Sequence, residues 1–279
     1  MISCPTIEKD VIRRHYDVST LFYRLLWGRH IHHGYWDSDE SPKLAQDQLT
    51  DRLFTAAAID SGSCVVDIGC GMGGSSRRLA KEHACNVTGV TISSFQQRWA
   101  KLAAARYGLR RQTRFLRADA EQVEFEPGEF DVVWSIECTE HLFDKPAFIR
   151  RAAEWLKPGG TMAICAWLAG PDLDEAKRQQ VFDVCEGFFC PSLATSDEYA
   201  GWMRDAGLVV ERVEDWTRQV DRTWEICRDR VKRFAIYQAA KWIDQGQIVF
   251  LDRFQTILDA YRSGAMQYGC FVARKPEVG

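Results

Sequence analysis

Residues 64–74 read CVVDIGCGMGG: an apolar run one strand long, three glycines spaced GxGxxG, then a helix-forming stretch. An apolar run without polar alternation predicts a strand covered on both faces. The glycines allow a tight turn and a close backbone approach, so a helix can start just above the strand's end. The rhythm repeats along the chain. Apolar runs at 86–92, 113–118, 130–136 and 160–168 are separated by helical stretches at 74–83, 94–107 and 146–156. Strands alternating with helices predict an α/β fold with a doubly wound, mostly parallel sheet.

The flanks differ. Residues 1–60 read as a polar-aromatic helical cap, with a turn over 34–42 and a helix over 44–59. Residues 61–170 form the core. In 171–264 a helix is expected at 172–189, and another at 196–207, capped by Ser196 and stopped by Gly207. That helix and an alternating strand at 208–216 belong to the core. A long helical stretch follows at 221–262, and 265–279 supplies a final strand, expected to run antiparallel. The 221–262 stretch is rich in apolar residues: Phe234, Ile236, Tyr237, Trp242, Ile243, Phe250, Leu251, Phe254, Ile257 and Leu258. It reads with 172–190 as a lid over an apolar pocket, or as a homo-oligomer contact or plain core.

Composition narrows the class. Of the 279 residues, 46% are hydrophobic and 27% charged, globular proportions that exclude global disorder. The net charge of −3 argues against a nucleic-acid partner, and Arg110, Arg111, Arg114 and Arg117 read as a solvated face. No apolar run approaches the roughly 18 residues of a membrane span. Ten cysteines without a CxxC pair read as reduced, small hydrophobes. With no apolar signal core at the start, the expectation is a cytoplasmic protein.

Asp67, placed before the first glycine, is the discriminating residue. A phosphate gains nothing from a carboxylate there, whereas an ammonium or sulfonium does, so the motif points to S-adenosyl-L-methionine. A nicotinamide site would want an acid near the end of the second strand; this one ends Thr91-Ile92-Ser93. Gln96, one turn further, either bonds a ribose or completes a capping box with Ser93. Asp119 either accepts from an adenine amino group or is a solvated loop acid. The seven residues SIECTEH (135–141) crowd Glu137, Glu140 and His141 beside the expected ligand.

Together DIGCGMGGSS, VTGVTIS, RADAE, VVWSIECTEH and LKPGG resemble class I S-adenosylmethionine-dependent methyltransferases. The closest likeness is to γ-tocopherol methyltransferase-like enzymes acting on small lipophilic molecules, in a superfamily shared with cyclopropane fatty acid and mycolic acid synthases. LLWGRHIHHGYWD (25–37), PSLATSDEYAGWMRDAGL and YGCFVARKP share the likeness. It implies a Rossmann-like fold and a cofactor held by these residues: Asp67, Gly69, Cys70 and Gly71 at the methionine end, with Ser135 beside it. Thr91, Ile92 and Gln96 would meet the ribose, Asp119 and Ala120 the adenine, and Ile31 and His32 would close over the carboxylate. The cyclopropane enzymes hold a bicarbonate base with a Cys, a Glu and a His. Here Glu140 matches the Glu, but Gly34 falls at the Cys and Trp167 near the His.

The chemistry implied is in-line methyl transfer to the carbon, nitrogen or oxygen of a small apolar acceptor, in which the protein supplies alignment and desolvation. If the acceptor must lose a proton, His141 is the expected base, with Glu140 or Glu137 orienting it. The alternative is that His141 caps the next helix and Glu140 is exposed. Tyr16, Tyr23, Trp27, Tyr35 and Trp36 are expected over the acceptor or in the core. His30, His32 and His33 match no metal-site spacing, so no metal is expected. Rival functions are cyclopropane-synthase-like lipid modification, cyclisation coupled to methylation, a non-catalytic cofactor-binding protein, and RNA methylation.

Overall fold

The computed structural model describes residues 1–26, 28, 30–233 and 245–277. Its elements run β1 (Ile2–Ser3), α1 (Lys9–Leu26), α2 (Pro42–Ala56), β2 (Cys64–Ile68), α3 (Gly74–Glu82), β3 (Asn86–Thr91), α4 (Ser94–Arg106), β4 (Thr113–Arg117), β5 (Phe130–Ile136), α5 (Lys145–Trp155) and β6 (Leu156–Ala169). They continue with α6 (Glu175–Phe188), β7 (Ser192–Leu193), α7 (Ser196–Asp205), β8 (Val209–Asp215), α8 (Thr217–Val220), α9 (Arg222–Arg233), α10 (Gln245–Ser263) and β9 (Met266–Arg274). The seven-stranded sheet has the order β4-β3-β2-β5-β6-β9-β8. Strands β4 to β6 are parallel, and β9 inserts antiparallel between β6 and β8.

The unbroken apolar runs have a simple cause. Val65, Val132, Trp134 and Cys165 join a core on one face of the sheet. Their chain neighbours Val66, Val133 and Ile164 join a second core on the other. Successive side chains point to opposite faces, and both faces are covered. The chain goes from β2 to β3 on one side and to β5 on the other. The resulting switch point opens a crevice at the strands' C-terminal ends.

Several boundaries differ from the sequence reading. The β6 strand starts at Leu156 and carries the KPGG turn residues inside it, Gly159 taking φ +76°. The cap of α7 is Thr195, not Ser196: its hydroxyl accepts from Glu198 N–H, and the Glu198 carboxylate returns the bond to Thr195 N–H. Either hydroxyl could start a helix; the glutamate three residues on selects Thr195. Gly207 follows the helix with φ +80°, as expected. The short antiparallel pair β1–β7 ties the N-terminus to the segment after α6 and had no sequence signal. Within the expected stretch 221–262, α9 (Arg222–Arg233) and α10 (Gln245–Ser263) are helical. Phe234, Ile236, Tyr237, Trp242 and Ile243 lie outside the described residues. Phe254, Ile257 and Leu258 pack into the core.

Candidate functional site

A cleft lies where the topology puts it, over the ends of β2, β3, β4 and β5. Its empty space is about 970 Å³, part of it open to solvent. The walls come from the glycine loop, from Thr91, Ile92 and Gln96, from 118–121 and from 136–138. Lys9, Ile12 and Tyr16 of α1 roof it together with 30–32. Of the residues expected to hold a cofactor, Ile31, His32, Asp67, Gly69, Cys70, Gly71, Thr91, Ile92, Gln96, Asp119 and Ala120 all line this cleft.

Ser135 does not. It is fully buried, and its hydroxyl donates to the carbonyl of Ile68 at 3.1 Å, tying β5 to β2. The strand's two-residue period turns Ser135 away and presents Ile136 to the cleft instead.

The motif's glycines do different work. At Gly69 (φ +76°) a Cβ would fall 2.3 Å from Cβ of Cys138, so this glycine lets β2 and the loop after β5 close together. At Gly71 (φ +52°) a Cβ would meet only Cδ1 of Ile31, at 3.8 Å. Its missing side chain leaves a cradle between the loop and the cap segment, and Gly71 itself lines the cleft.

Asp67 is 2% exposed and accepts a 2.5 Å hydrogen bond from Ser76 Oγ. Burial pushes its carboxyl up to about 7 against the pull of the Ser76 bonds. A cationic ligand would restore the charge that burial discourages.

Gln96 departs from the expected capping box. Ser93 Oγ accepts from Gln96 N–H, the first half of the expected capping box. The second half is absent: Gln96 Oε1 accepts from Thr91 Oγ1 at 2.8 Å instead. That fixes the amide's orientation and leaves Nε2 buried without a partner among the described residues. The reciprocal capping box is therefore not formed, and the Gln96 amide lines the cleft. Opposite, Asp119 is not a solvated acid: Lys9 Nζ pairs with it at 2.7 Å, leaning α1 onto the cleft.

The cap histidines are bonded to one another and to their neighbours. His32 Nδ1 donates to the carbonyl of His33 at 2.7 Å, and its Nε2 faces His30 Nδ1 at 2.9 Å and Ser75 Oγ at 3.2 Å. His30 Nε2 lies 3.2 Å from Asp47. Among the described residues no cluster of metal-ligand type occurs. Gly34 packs tightly on α2: a Cβ there would stand 2.6 Å from Cβ of Ala45. The cysteine of the cyclopropane enzymes would have no room at this position.

The acids and His141 divide into distinct roles. His141 is not the cap of α5, which is Asp144. Its Nδ1–H donates to the carbonyl of Phe189 at 3.1 Å, so Nε2 is the acceptor for the Tyr16 hydroxyl at 2.7 Å. Desolvation pulls the imidazole down to about 4. Glu137 does not orient His141. Its Oε1 accepts from His33 N–H and from the Tyr268 hydroxyl, each at 2.8 Å, locking the cap segment onto β9. Burial alone would raise Glu137, but His33 beside it holds the carboxyl below its usual value. Glu140 is buried rather than exposed. Its Oε1 accepts from Trp167 N–H at 2.5 Å, and burial pushes its carboxyl up to about 8.

Glu140 lies off the main cleft, in an adjoining pocket whose empty space of about 420 Å³ is partly open to solvent. Tyr16, Ile31, Glu137 and His141 line both spaces, and Trp167, Phe188 and Trp224 complete the second. Trp167 meets Phe188 edge-on at 5.3 Å, and Phe188 meets Trp224 at 5.1 Å. This is where α6 and α9, expected as a lid, cover an apolar space. Of the aromatics expected at the cap, only Tyr16 reaches it among those described. Tyr35 packs on Trp216, and Trp36 donates to Thr223; the side chain of Tyr23 and all of Trp27 lie outside the described residues.

Sequence reasoning missed Lys9, Ile12 and the pairing of Tyr16 with His141. These sit on α1, over 100 residues from their partners, and nothing local signals them. Ser75, next to the glycines, was within reach of the motif.

Comparison with known proteins is consistent along the chain. The family described as mycolic acid cyclopropane synthetase matches residues 5–267. A 27-O-demethylrifamycin SV methyltransferase of Amycolatopsis mediterranei is 34% identical over 271 residues, covering 95% of this chain and 97% of that one. A chloroplastic tocopherol O-methyltransferase of Arabidopsis thaliana is 28% identical over 294 residues, covering 95% and 82%. Among solved structures, the cyclase SpnF superposes with a TM-score of 0.87 at 22% identity, covering 99% of both chains. A cyclopropane synthase of Mycobacterium tuberculosis gives 0.84 at 19%, covering 98% and 100%; both likenesses concern the fold.

Proposed function

The chain belongs to the mycolic acid cyclopropane synthetase family, and from that premise we propose how its two joined cavities serve an S-adenosylmethionine-dependent methyltransferase for small apolar acceptors. One observation carries the reading. A cleft with an unpartnered buried amide at Gln96 and an open cradle at Gly71 runs into a tryptophan-walled pocket, and the Tyr16–His141 pair stands at the junction. When bound, the cofactor supplies an activated methyl group on a sulfonium.

The protein's residues do the rest. Asp67 attracts the amino group of the methionine end. Gln96 Nε2 donates to a ribose hydroxyl, and Gly71 admits the backbone-close part of the ligand. Ile31 and Tyr16 separate the two spaces and exclude water, which suits a reaction that disperses charge. Trp167, Phe188 and Trp224 receive the acceptor's apolar body, at roughly 25 cal/mol per Å² of surface removed from water. For a hydroxyl acceptor, His141 Nε2 takes its proton once the Tyr16 hydroxyl gives way. The neutral imidazole and its Nδ1–H anchor on Phe189 keep that lone pair aimed at the junction. The crowding at Gly34 and the indole at 167 weigh against a bicarbonate-dependent cyclopropanation. The relatives named for rifamycin and tocopherol substrates favour an acceptor of natural-product type. Ten unpaired cysteines suit a reducing, cytoplasmic setting.

Calorimetry with S-adenosylhomocysteine and with a nicotinamide dinucleotide tests the cofactor: the first binds and the second does not. Mass spectrometry of lipophilic small-molecule extracts, incubated with enzyme and methyl-labelled cofactor, then identifies the acceptor. Labelling confined to polar metabolites or to RNA would refute the reading.

A further inference from the structure

The aromatic pocket holds two polar atoms that the chemistry above leaves unused. Glu140 is 1% exposed and Trp167 8%. Glu140 Oε1 is occupied by Trp167 N–H. Glu140 Oε2 and the indole Nε1 of Trp167 have no hydrogen-bond partner among the described residues. Both side chains line the pocket, and the other walls include Ile31, Phe188 and Trp224. Buried polar atoms are rarely left unpaired, because each has given up its water without a replacement. Two such atoms belong to side chains that line one cavity, where a ligand's polar group could pair with them.

Their chemistry limits that group. An indole N–H only donates, so it requires an acceptor; a carboxyl oxygen accepts when ionised and donates when protonated, so it pairs with a group that can do both. One hydroxyl satisfies both requirements: its oxygen receives the Trp167 N–H, and it accepts from Glu140 Oε2 while that carboxyl is protonated or donates to it once ionised. The surrounding rings suit a flat body. We propose that this pocket selects a ring-shaped acceptor bearing a hydroxyl, held through that hydroxyl by Trp167 and Glu140 and covered by Phe188 and Trp224. The proposal rests on the methyltransferase reading for the identification of the pocket's occupant as the acceptor. Glu140 is then a specificity determinant rather than the base, and the reacting atom is presented to Tyr16 and His141 on the cofactor side.

The test compares 2-naphthol with naphthalene by equilibrium dialysis, in the presence of saturating S-adenosylhomocysteine. Wild type should bind 2-naphthol at least about tenfold tighter than naphthalene, the usual scale for pairing two buried groups. Trp167→Phe keeps the ring and removes the donor; Glu140→Gln keeps the shape and changes the carboxyl. Each should remove most of the preference by weakening 2-naphthol binding alone. Equal binding of the two probes to wild type, or binding of neither, overturns the proposal without any variant. Displacement of 2-naphthol by bicarbonate also overturns it, since the pair would then be an anion site. The affinity for S-adenosylhomocysteine, measured in the same samples, separates the two readings. Its absence sinks the cofactor assignment, whereas a lost hydroxyl preference with that affinity intact sinks only the hydroxyl contact.

Discussion

Asp67→Asn should stabilise the protein without cofactor and weaken its hold on the cofactor, two effects of opposite sign from one buried carboxyl. Asp67 is 2% exposed, and burial raises it from the ordinary 3.8 to about 7. A carboxyl raised on folding favours the folded state only while protonated. Its contribution is greatest below about pH 4 and is lost progressively as the pH climbs to 7. Over that span of about three units the loss is of order 4 kcal/mol, at 1.36 kcal/mol per unit. An asparagine keeps the shape and an acceptor for the Ser76 hydroxyl and carries no charge to desolvate. The apo variant should therefore melt several degrees higher than wild type at pH 8. Cofactor binding runs the other way, because the ligand's ammonium pairs only with the ionised form. Below pH 7 the wild-type affinity should fall about tenfold per unit, or roughly 30-fold between pH 8.5 and 5.5, close to 2 kcal/mol. Calorimetry with S-adenosylhomocysteine across that range, beside thermal melts of both proteins, checks both halves. His141, at about 4, and His32, at about 3, stay neutral throughout and do not confuse the slope. Glu140 titrates near 8, so the same profile in Glu140→Gln isolates Asp67. A flat wild-type profile, or an asparagine variant that binds as tightly as wild type at pH 8, would refute the argument.

The other predictions concern the loop, the base and the acid limit. Gly69→Ala should prevent stable folding, since its methyl would collide with Cys138. Gly71→Ala should cost only about 1–2 kcal/mol, from its positive φ, yet reduce S-adenosylhomocysteine affinity at least about tenfold; melts and calorimetry on both variants separate the effects. His141→Ala should lower turnover on a hydroxyl acceptor by about a hundredfold or more, with cofactor affinity held within a factor of two. Equal turnover at unchanged affinity would remove it from the chemistry, and Tyr16→Phe should show the smaller loss of a partner that only holds the base. With saturating S-adenosylhomocysteine keeping Asp67 ionised, stability should fall below pH 6.5. His15, His32 and His141 are held neutral by burial, at about 3, 3 and 4, and each costs about 1.4 kcal/mol per pH unit once the unfolded chain can protonate. Melts that do not drop between pH 6.5 and 5 would contradict this.

What was legible in the sequence was what depends on neighbours in the chain. Apolar runs of strand length alternating with helical stretches predicted the parallel sheet, because a strand covered on both faces cannot alternate. Asp67 and the glycines marked the cleft end of β2, since a tight turn, close backbone approach and a helix N-terminus are local requirements. Gln96, Asp119 and, from the 135–141 cluster, Glu137 and His141 line the cleft, as their offsets from strand ends suggested.

Side-chain direction and partnership were decided only by the folded chain. Ser135 and Ile136 stand side by side at the end of β5, and the pleat sends one into the sheet and the other into the cleft. Glu137, Glu140 and His141 looked like one reactive group. Folding gave Glu137 to His33 and Tyr268, Glu140 to Trp167, and His141 to Tyr16 and Phe189. Gly69 and Gly71 were indistinguishable in the motif until Cys138 crowded one, while the other met only Ile31 at ordinary contact distance. Each of these outcomes turns on contact between segments far apart in the chain. Local pattern can specify an element and its exposed or buried faces. Which remote side chain fills the space opposite, and so which way a proton or a charge is held, is set by how the elements pack.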